Sequence, residues 1–178
     1  MLQNLAARFR RNISGFCVAE RGATAVEFAL IAPAFLATLF AVIQTTLFLF
    51  AQSALQSAAN EAGRLFMTGQ AQNLTQSQFE ADVCPMVSAL FTCGNLMVNV
   101  AAYSSFSGAS TSAPTLTYSN GSVSNSWAYS PGTQGEIMVV QLIYQWPIIG
   151  MPLGSVLPNN ANGSVEMMGV TAFRVEPY

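Results

Sequence analysis

The sequence contains no histidine and no lysine, and this absence excludes several classes of active site. A Ser–His or Cys–His pair is impossible, as are a lysine Schiff base and the lysine of a phosphate-binding loop. A metal site built on histidine is excluded for the same reason. Carboxylates remain, with Glu80 and Asp82 two positions apart, but surface charge explains such scattered acids better than catalysis does. We therefore expect no enzyme activity, no metal and no cofactor; the alternative is an enzyme with an atypical carboxylate site.

Charged residues are also scarce, because they make up 8% of the chain against about 25% in a typical soluble domain. All six basic residues are arginines, and four of them lie before residue 22. A nucleic-acid-binding protein needs a basic face along the phosphates, so we expect no nucleic-acid partner. The basic residues are Arg8, Arg10, Arg11, Arg21, Arg64 and Arg174.

A run of 23 uncharged, mostly apolar residues extends from Phe28 to Phe50. As a helix it would be roughly 34 Å long, enough to cross a hydrocarbon core of about 30 Å. The preceding arginines place residues 1–22 in the cytoplasm and the C-terminal part across the membrane by the positive-inside rule. A cleaved secretory signal is the alternative, but its apolar region is only about 7–15 residues long and lacks an acid such as Glu27.

The helical pattern continues beyond this run. Pro33 predicts a kink near residues 29–33, because proline removes a backbone hydrogen bond and collides with the preceding turn. Gly69 is a plausible terminator. We therefore expect one helix over about 23–68, apolar all round in its first half and amphipathic in its second. The amphipathic face consists of Leu55, Ala58, Ala59, Ala62, Leu65 and Phe66.

The rest of the chain predicts a small α+β domain. A short helix is expected within 71–91, with Phe79, Val83, Met86 (or Val87) and Leu90 on one face. Strands are expected at 96–103, at 136–149 up to Pro147, and at 165–177. Segment 104–135 is rich in Ser, Gly and Thr and reads as a partly ordered loop, and 150–163 as a Pro/Gly-rich connection. The strands would form a small antiparallel sheet whose buried face receives the amphipathic half of the long helix.

An arginine-bearing leader ends in Gly22, followed by the small residue Ala23, with Glu27 at the fifth position after Gly22. This resembles the class III signal of type IV pilins, and GATAVEFALIAPAFL is similar to the start of TadE-like proteins, the minor pseudopilins of tight-adherence (Flp-type) pilus systems. The resemblance covers residues 20–70 well, and 80–103 and 165–178 more loosely. The further similar stretches are AANEAGRLFMTG, CPMVSALFTC, LMVNVAAY and AFRVEPY.

The resemblance implies that a prepilin peptidase cuts between Gly22 and Ala23 on the cytoplasmic side. The cut creates an α-ammonium at Ala23, in the same membrane layer as the Glu27 carboxylate. In pilins the corresponding glutamate is held to pair with the terminal amine of a neighbouring subunit, and a charge in a low-dielectric layer is retained where a counter-charge is supplied. The alternative is that Glu27 lies near the headgroups and reaches water, with no assembly role.

The resemblance also implies a function and a location. The expected protein is a non-enzymatic minor pseudopilin of the bacterial inner membrane. Its partners are other pilin subunits through the helix, the prepilin peptidase, the inner-membrane assembly platform and membrane lipid. Its parts are a cytoplasmic leader (1–22), a long helix (23–69, transmembrane over about 28–50) and a periplasmic α+β domain (70–178). The alternative is a single-pass anchor for a periplasmic binding or adhesin domain that never enters a filament.

The three cysteines divide between the two sides of the expected membrane. Cys17 belongs to the leader and would be removed with it, whereas Cys84 and Cys93 follow the helix on the oxidising side. An even number of cysteines in such a domain favours a disulfide between them. Two cysteines without nearby histidine make a poor zinc site, so a structural role is expected.

Overall fold

The computed structural model describes residues 20–147 and 163–176. Most of the leader, including Cys17, and nearly all of the predicted connection 150–163 lie outside the described residues. The described elements are helix α1 (Glu20–Met67), helix α2 (Gln76–Val87), a 3₁₀ turn (Cys93–Asn95), and strands β1 (Met97–Tyr103), β2 (Tyr118–Ser119), β3 (Ser122–Val123), β4 (Ile137–Pro147) and β5 (Ser164–Arg174). The predicted α+β class is confirmed, with a long N-terminal helix, a short helix and an antiparallel sheet.

Helix α1 ends where its sequence predicts. Gly69 adopts a φ of 75°, the left-handed conformation that glycine enters without steric cost. The amide of Ala71 donates to the carbonyl of Leu65, and that of Thr68 to the carbonyl of Arg64, so the last carbonyls of the helix are satisfied. The chain divides into two compact units between Gln44 and Thr45, a division that falls within α1.

In the second unit, strands β1, β4 and β5 form an antiparallel sheet in the order β1-β4-β5. Alternate side chains of the strands point to the face that packs on α1. The predicted amphipathic face of α1 is buried, with Leu65 only partly so. The core shared by helix and sheet includes Leu55, Ala59, Ala62, Phe66, Val98, Val100, Met138, Val140, Leu142, Tyr144, Met167 and Phe173.

Two glycines allow α1 and β5 to approach closely. A β-carbon at position 169 would lie 2.5 Å from the carbonyl oxygen of Leu55, a distance that real β-carbons do not reach. A β-carbon at position 63 would lie 2.7 Å from the methyl carbon of Thr171. The helix backbone therefore rests directly on strand β5 at Gly169, and only glycine leaves space for it there.

Side chains of α1 also occupy the open edge of β5. The Gln56 amide donates to the Val170 carbonyl (2.7 Å), and the Val170 amide donates back to the Gln56 Oε1 atom (3.1 Å). Gln52 donates to the Met168 carbonyl at 2.8 Å. An unpaired strand edge is a template for association with another chain. These glutamines satisfy part of that edge, so β5 is protected at Met168 and Val170.

Helix α2 buries one side against the end of α1. Its first turn is closed by a capping box, in which Thr75 and Gln78 bond to each other's backbone amides. Val87, not Met86, completes the buried face, because 79, 83 and 87 follow a strict four-residue spacing and Met86 is 38% exposed. The Phe79 ring packs on Phe66 at 4.8 Å between ring centres.

The segment 104–135 lies partly against the second face of the sheet. Gln141, in the middle of β4, donates to the Ser112 carbonyl (3.0 Å) and accepts from the Asn99 amide (2.8 Å). The Asn99 side-chain oxygen in turn accepts from the Ala128 amide at 2.9 Å. This chain of bonds satisfies the side chains of Gln141 and Asn99, as buried polar groups require, and gives the loop defined anchor points.

The same segment contains a small hairpin, β2–β3. Its turn is Asn120–Gly121, with φ of 51° and 80°. Both central residues have positive φ, as a two-residue type I′ turn needs. Residues 128–130 then run beside β1, where Val100 bonds to Ala128 and Ser130. The predicted partly ordered loop thus includes one defined hairpin.

Candidate functional site

The helical part of the first unit exposes nearly all of its apolar side chains. Residues 24–31 are all exposed, with Phe28 at 73% and Leu30 at 75%. Further along, large apolar residues are exposed on every side of the helix, not on one stripe. A helix that is hydrophobic all round belongs inside a protein interior or a membrane. The large apolar residues that are exposed over 32–44 are Phe35, Leu36, Leu39, Phe40, Val42 and Ile43.

This helix satisfies the length and composition of a membrane span. The stretch Thr24–Met67 contains an 18-residue window with a mean hydropathy of 2.2, none of it buried in the protein. The exposed large apolar residues of α1 all lie before Ala51, whereas the apolar residues after it are mostly buried in the core shared with the sheet. The apolar N-terminal helix therefore suggests a membrane anchor.

Glu27 is the one acid of this exposed helical surface over residues 24–50. Its side chain is exposed, and it has no ion-pair partner among the residues that the structure describes. Residues three and four positions away share its face of the helix, which here places Leu30 and Ile31 beside it. A lone carboxylate costs about 2.5–3.5 kcal/mol at mid-depth in a membrane; Glu27 lies at the start of the apolar run, where a counter-charge or water lowers that cost.

The junction Gly22–Ala23 lies in the first turn of α1, which begins at Glu20. Gly22 is half-buried, and a β-carbon added to it would meet no atom within 4 Å. If the chain were cut there, Ala23 would begin the helix. Glu27 would then stand near the helix N-terminus, whose unpaired amides and dipole favour a negative charge.

Pro33 lies inside α1, and the helix continues on both sides of it. Its ring lacks the N–H that would bond to the carbonyl of Ala29, four residues earlier. The kink expected at this point remains a prediction. About one and a half turns later, the Thr38 hydroxyl donates a hydrogen bond to the Ala34 carbonyl at 2.9 Å, so this polar side chain is satisfied within the helix.

In the second unit, Cys84 and Cys93 are joined by a disulfide, with their Cα atoms 5.5 Å apart. The bond ties helix α2 to the 3₁₀ turn that precedes β1. In the chain-entropy model, closing a loop of this length contributes roughly 2–3 kcal/mol to stability. The sulfurs are therefore engaged in structure and are not available as a metal site.

The acids do not assemble a metal site within residues 20–147 and 163–176, where no group of three or more His, Cys, Asp or Glu side chains occurs. Glu80 accepts a bond from Gln76 on its own helix, and Glu136 accepts from Thr133. Glu166 differs, because burial raises the pKa of its carboxyl and its Oε1 atom has no described hydrogen-bond partner.

Glu166 predicts a pH-dependent stability. Its pKa is raised in the folded state, so the folded protein binds more protons than the unfolded chain between the ordinary and the raised value. Stability should therefore fall as the pH rises through that window. Glu166→Gln should melt at a higher temperature than the wild type at neutral pH, and this advantage should shrink as the pH drops below the ordinary glutamate value. Melting curves of both proteins across pH 3–8 test this; an advantage that does not change with pH contradicts it.

The comparisons with known proteins identify the N-terminal helix. A family model described as TadE-like protein matches residues 22–64, from the glycine before Ala23 into the half of α1 that packs on the sheet. This confirms the TadE-like resemblance for that segment. The matched family suggests a protein that is associated with a tight-adherence pilus system and acts with other components of that system. Comparisons with curated proteins and with solved structures gave no match.

Proposed function

We propose that this chain is a minor pseudopilin of a tight-adherence pilus, cut by a prepilin peptidase between Gly22 and Ala23. After the cut, the Ala23 α-ammonium and the Glu27 carboxylate lie in the same layer of the membrane. Glu27 pairs with the terminal amine of a neighbouring subunit, and this pairing sets the axial register in which subunits line up. The domain that follows the helix stays on the periplasmic side.

One observation carries this proposal. Glu27 is the lone acid on an exposed apolar helix, five residues after Gly22, within the segment that matches the family model. An anchor that only holds a domain needs no acid there, and the acid raises the cost of crossing the membrane. A pairing partner in the neighbouring subunit offsets that cost.

The second half of α1 supports the same reading. Its face toward the sheet is filled, with Leu55, Ala59 and Phe66 fully buried, whereas residues 24–31 are all exposed. One part of the helix is therefore committed to the chain's own sheet. The exposed first part of the helix is free to contact lipid and the helices of other subunits.

Processing of the N-terminus tests the proposal. In cells with a working prepilin peptidase, the intact mass of the membrane protein should correspond to a chain beginning at Ala23. Gly22→Leu should retain the full leader, because the larger side chain obstructs the peptidase at the cleavage site, while a β-carbon at this position meets no atom of the protein within 4 Å. If the wild-type protein keeps Met1, the chain is a single-pass anchor, and if Gly22→Leu is cut as efficiently as the wild type, the cut does not depend on Gly22 and the assigned site is wrong.

A further inference from the structure

A cleft of about 430 Å³ opens on the sheet face opposite α1. Its floor is formed by Gln145 of β4 and Ser164 of β5, and its walls by the β2–β3 hairpin, by Trp127 and by Asn95 of the 3₁₀ turn. The volume lies in the range of small-molecule sites, about 300–1,000 Å³. The Cys84–Cys93 bond fixes the 3₁₀ turn, so the wall that contains Asn95 is held in place.

The floor of the cleft includes Ser164, whose hydroxyl has no hydrogen-bond partner among the described residues. Ser164 is only 6% exposed. Glu166, on the same face of β5 and opposite Gln145, also has a buried oxygen without a described partner. Burying a hydroxyl without a partner lowers stability. A ligand in the cleft can supply the missing partner when the Ser164 hydroxyl turns toward it.

The charges around the cleft decide which ligands it can accept. No basic residue is among those that line it. The two arginines of the second unit are engaged elsewhere, Arg64 with Glu61 and Arg174 with the Gly135 carbonyl. The acid next to the floor, Glu166, adds negative potential. Phosphates and carboxylates are therefore disfavoured, and ligands that donate hydrogen bonds are favoured.

The remaining lining groups combine an aromatic ring with side-chain amides. Trp127 offers an apolar surface, while Asn95 and Gln145 each have donors and an acceptor. Gln145 already donates to the Tyr118 hydroxyl at 2.6 Å, which holds its side chain in place. A sugar ring matches this set, because its C–H face packs on an aromatic ring and its hydroxyls both donate and accept at the edge.

We propose that this cleft binds a neutral saccharide unit, with its ring against Trp127 and its hydroxyls bonded to Ser164, Gln145 and Asn95. The inference rests on the second unit alone and is independent of the assembly role of Glu27. It gives the chain a carbohydrate-recognition site on the face of the sheet that α1 does not cover.

Three sugars that share one ring and differ in charge test the ligand class. The full-length protein in a zwitterionic detergent, which has no sugar headgroup, is titrated with N-acetylglucosamine, glucosamine and glucuronate. Saturation-transfer NMR is the readout. N-acetylglucosamine should receive saturation from the protein and glucuronate should bind at least about tenfold more weakly. No binding of the neutral sugar up to tens of millimolar overturns the proposal, as does glucosamine binding tenfold more tightly than N-acetylglucosamine, which would make this a cation site.

Ser164→Ala separates a binding role from a structural one. Loss of its hydroxyl should weaken N-acetylglucosamine binding about fivefold to tenfold, while the melting temperature stays the same or rises, because an unpaired buried hydroxyl is removed. The exposed Ser110→Ala is the matched control and should change neither quantity. A lower melting temperature with unchanged sugar affinity would show that Ser164 is structural and would overturn the proposal. Trp127→Ala should reduce affinity at least about tenfold, with the exposed Phe106→Ala as control.

Discussion

Glu27→Ala should reduce piliation at least about tenfold while the protein remains in the membrane and loses its leader. Removing one partner of a buried ion pair costs about 3–5 kcal/mol, because the other charge is left uncompensated. In the pair that we propose, the amine of the neighbouring subunit would lose its carboxylate. Membrane insertion should not suffer, since the mutation removes a charge whose burial costs about 2.5–3.5 kcal/mol. Electron microscopy of cells that carry the variant gene gives the pilus count, and immunoblots of membrane fractions give protein level and size.

Two control variants define the cause of that loss. Val26→Ala truncates an adjacent side chain that is 61% exposed, and it should leave piliation near the wild-type level. Glu27→Gln keeps the shape of the side chain and removes its charge, so it should fail as Glu27→Ala does. Normal piliation with Glu27→Ala would leave Glu27 without an assembly role, as would an equal loss in Val26→Ala.

Gly169→Ala should destabilise the second unit by about 2–3 kcal/mol, the usual cost of overpacking a well-filled contact. The added methyl group would meet the Leu55 carbonyl oxygen at 2.5 Å and the Leu55 carbonyl carbon at 2.8 Å. These are backbone atoms of a helix, which cannot rotate away as a flexible side chain can. Helix and strand must separate instead, and this weakens the bonds between Gln56 and Val170.

Thermal unfolding of the full-length protein in detergent, followed by circular dichroism, measures this effect. A loss of about 2–3 kcal/mol lowers the melting temperature by roughly 6–15 °C for a unit of this size. Gly108→Ala is the matched control, because a β-carbon there would lie at ordinary contact distances of 3.7 and 3.8 Å. An unchanged melting temperature in Gly169→Ala would mean that α1 does not rest on β5 at this point.

The periodicity of apolar residues was sufficient to predict the elements that have one buried side. The second half of α1 follows from the spacing of its apolar residues, because burial on a single face leaves a regular pattern. The three long strands follow from their composition and from the turn residues between them, since residues 137–144 of β4 are buried on both faces and do not alternate. The limits of α1 were predicted within about three residues, since Gly69 supplies the positive φ that ends the helix. Met86 and Val87 are adjacent and both apolar, so the sequence left that choice to the packing.

The contacts between elements could not be predicted in the same way. Gln52 and Gln56 read as the polar face of α1, yet they bond to the edge of β5. Gly169 reads as one small residue within a strand, and its necessity comes from a helix carbonyl far away in sequence. Glutamine and glycine are also common at exposed positions, so the sequence alone does not mark these residues as contacts. Asn120–Gly121 is a strong signal for a two-residue turn, but its flanking strands are only two residues long each, and the sequence predicted the segment only as a partly ordered loop.

The candidate site shows the same division. The exposed helix surface and its lone acid follow directly from the sequence. The partner that we propose for Glu27 does not, because it would belong to another molecule. Ala23 is also four residues before Glu27, one helical turn away, so the chain's own amine is a competing partner. Only pairing between subunits sets their register.

Carbodiimide cross-linking in the membrane tests whether Glu27 pairs with the N-terminal amine of another subunit. Dicyclohexylcarbodiimide is lipid-soluble, activates a buried carboxylate, and joins it by an amide bond to an amine already in contact. Wild-type protein is produced together with Glu27→Ala copies and the other pilins of the system. Peptide mass spectrometry then identifies each N-terminal peptide, and the Glu27→Ala copy is distinguished from the wild type because its N-terminal peptide has a different mass. The account predicts that Glu27 is joined to the N-terminal amine of another subunit. A bond only to the chain's own Ala23, or no bond because the leader is still attached, would contradict it.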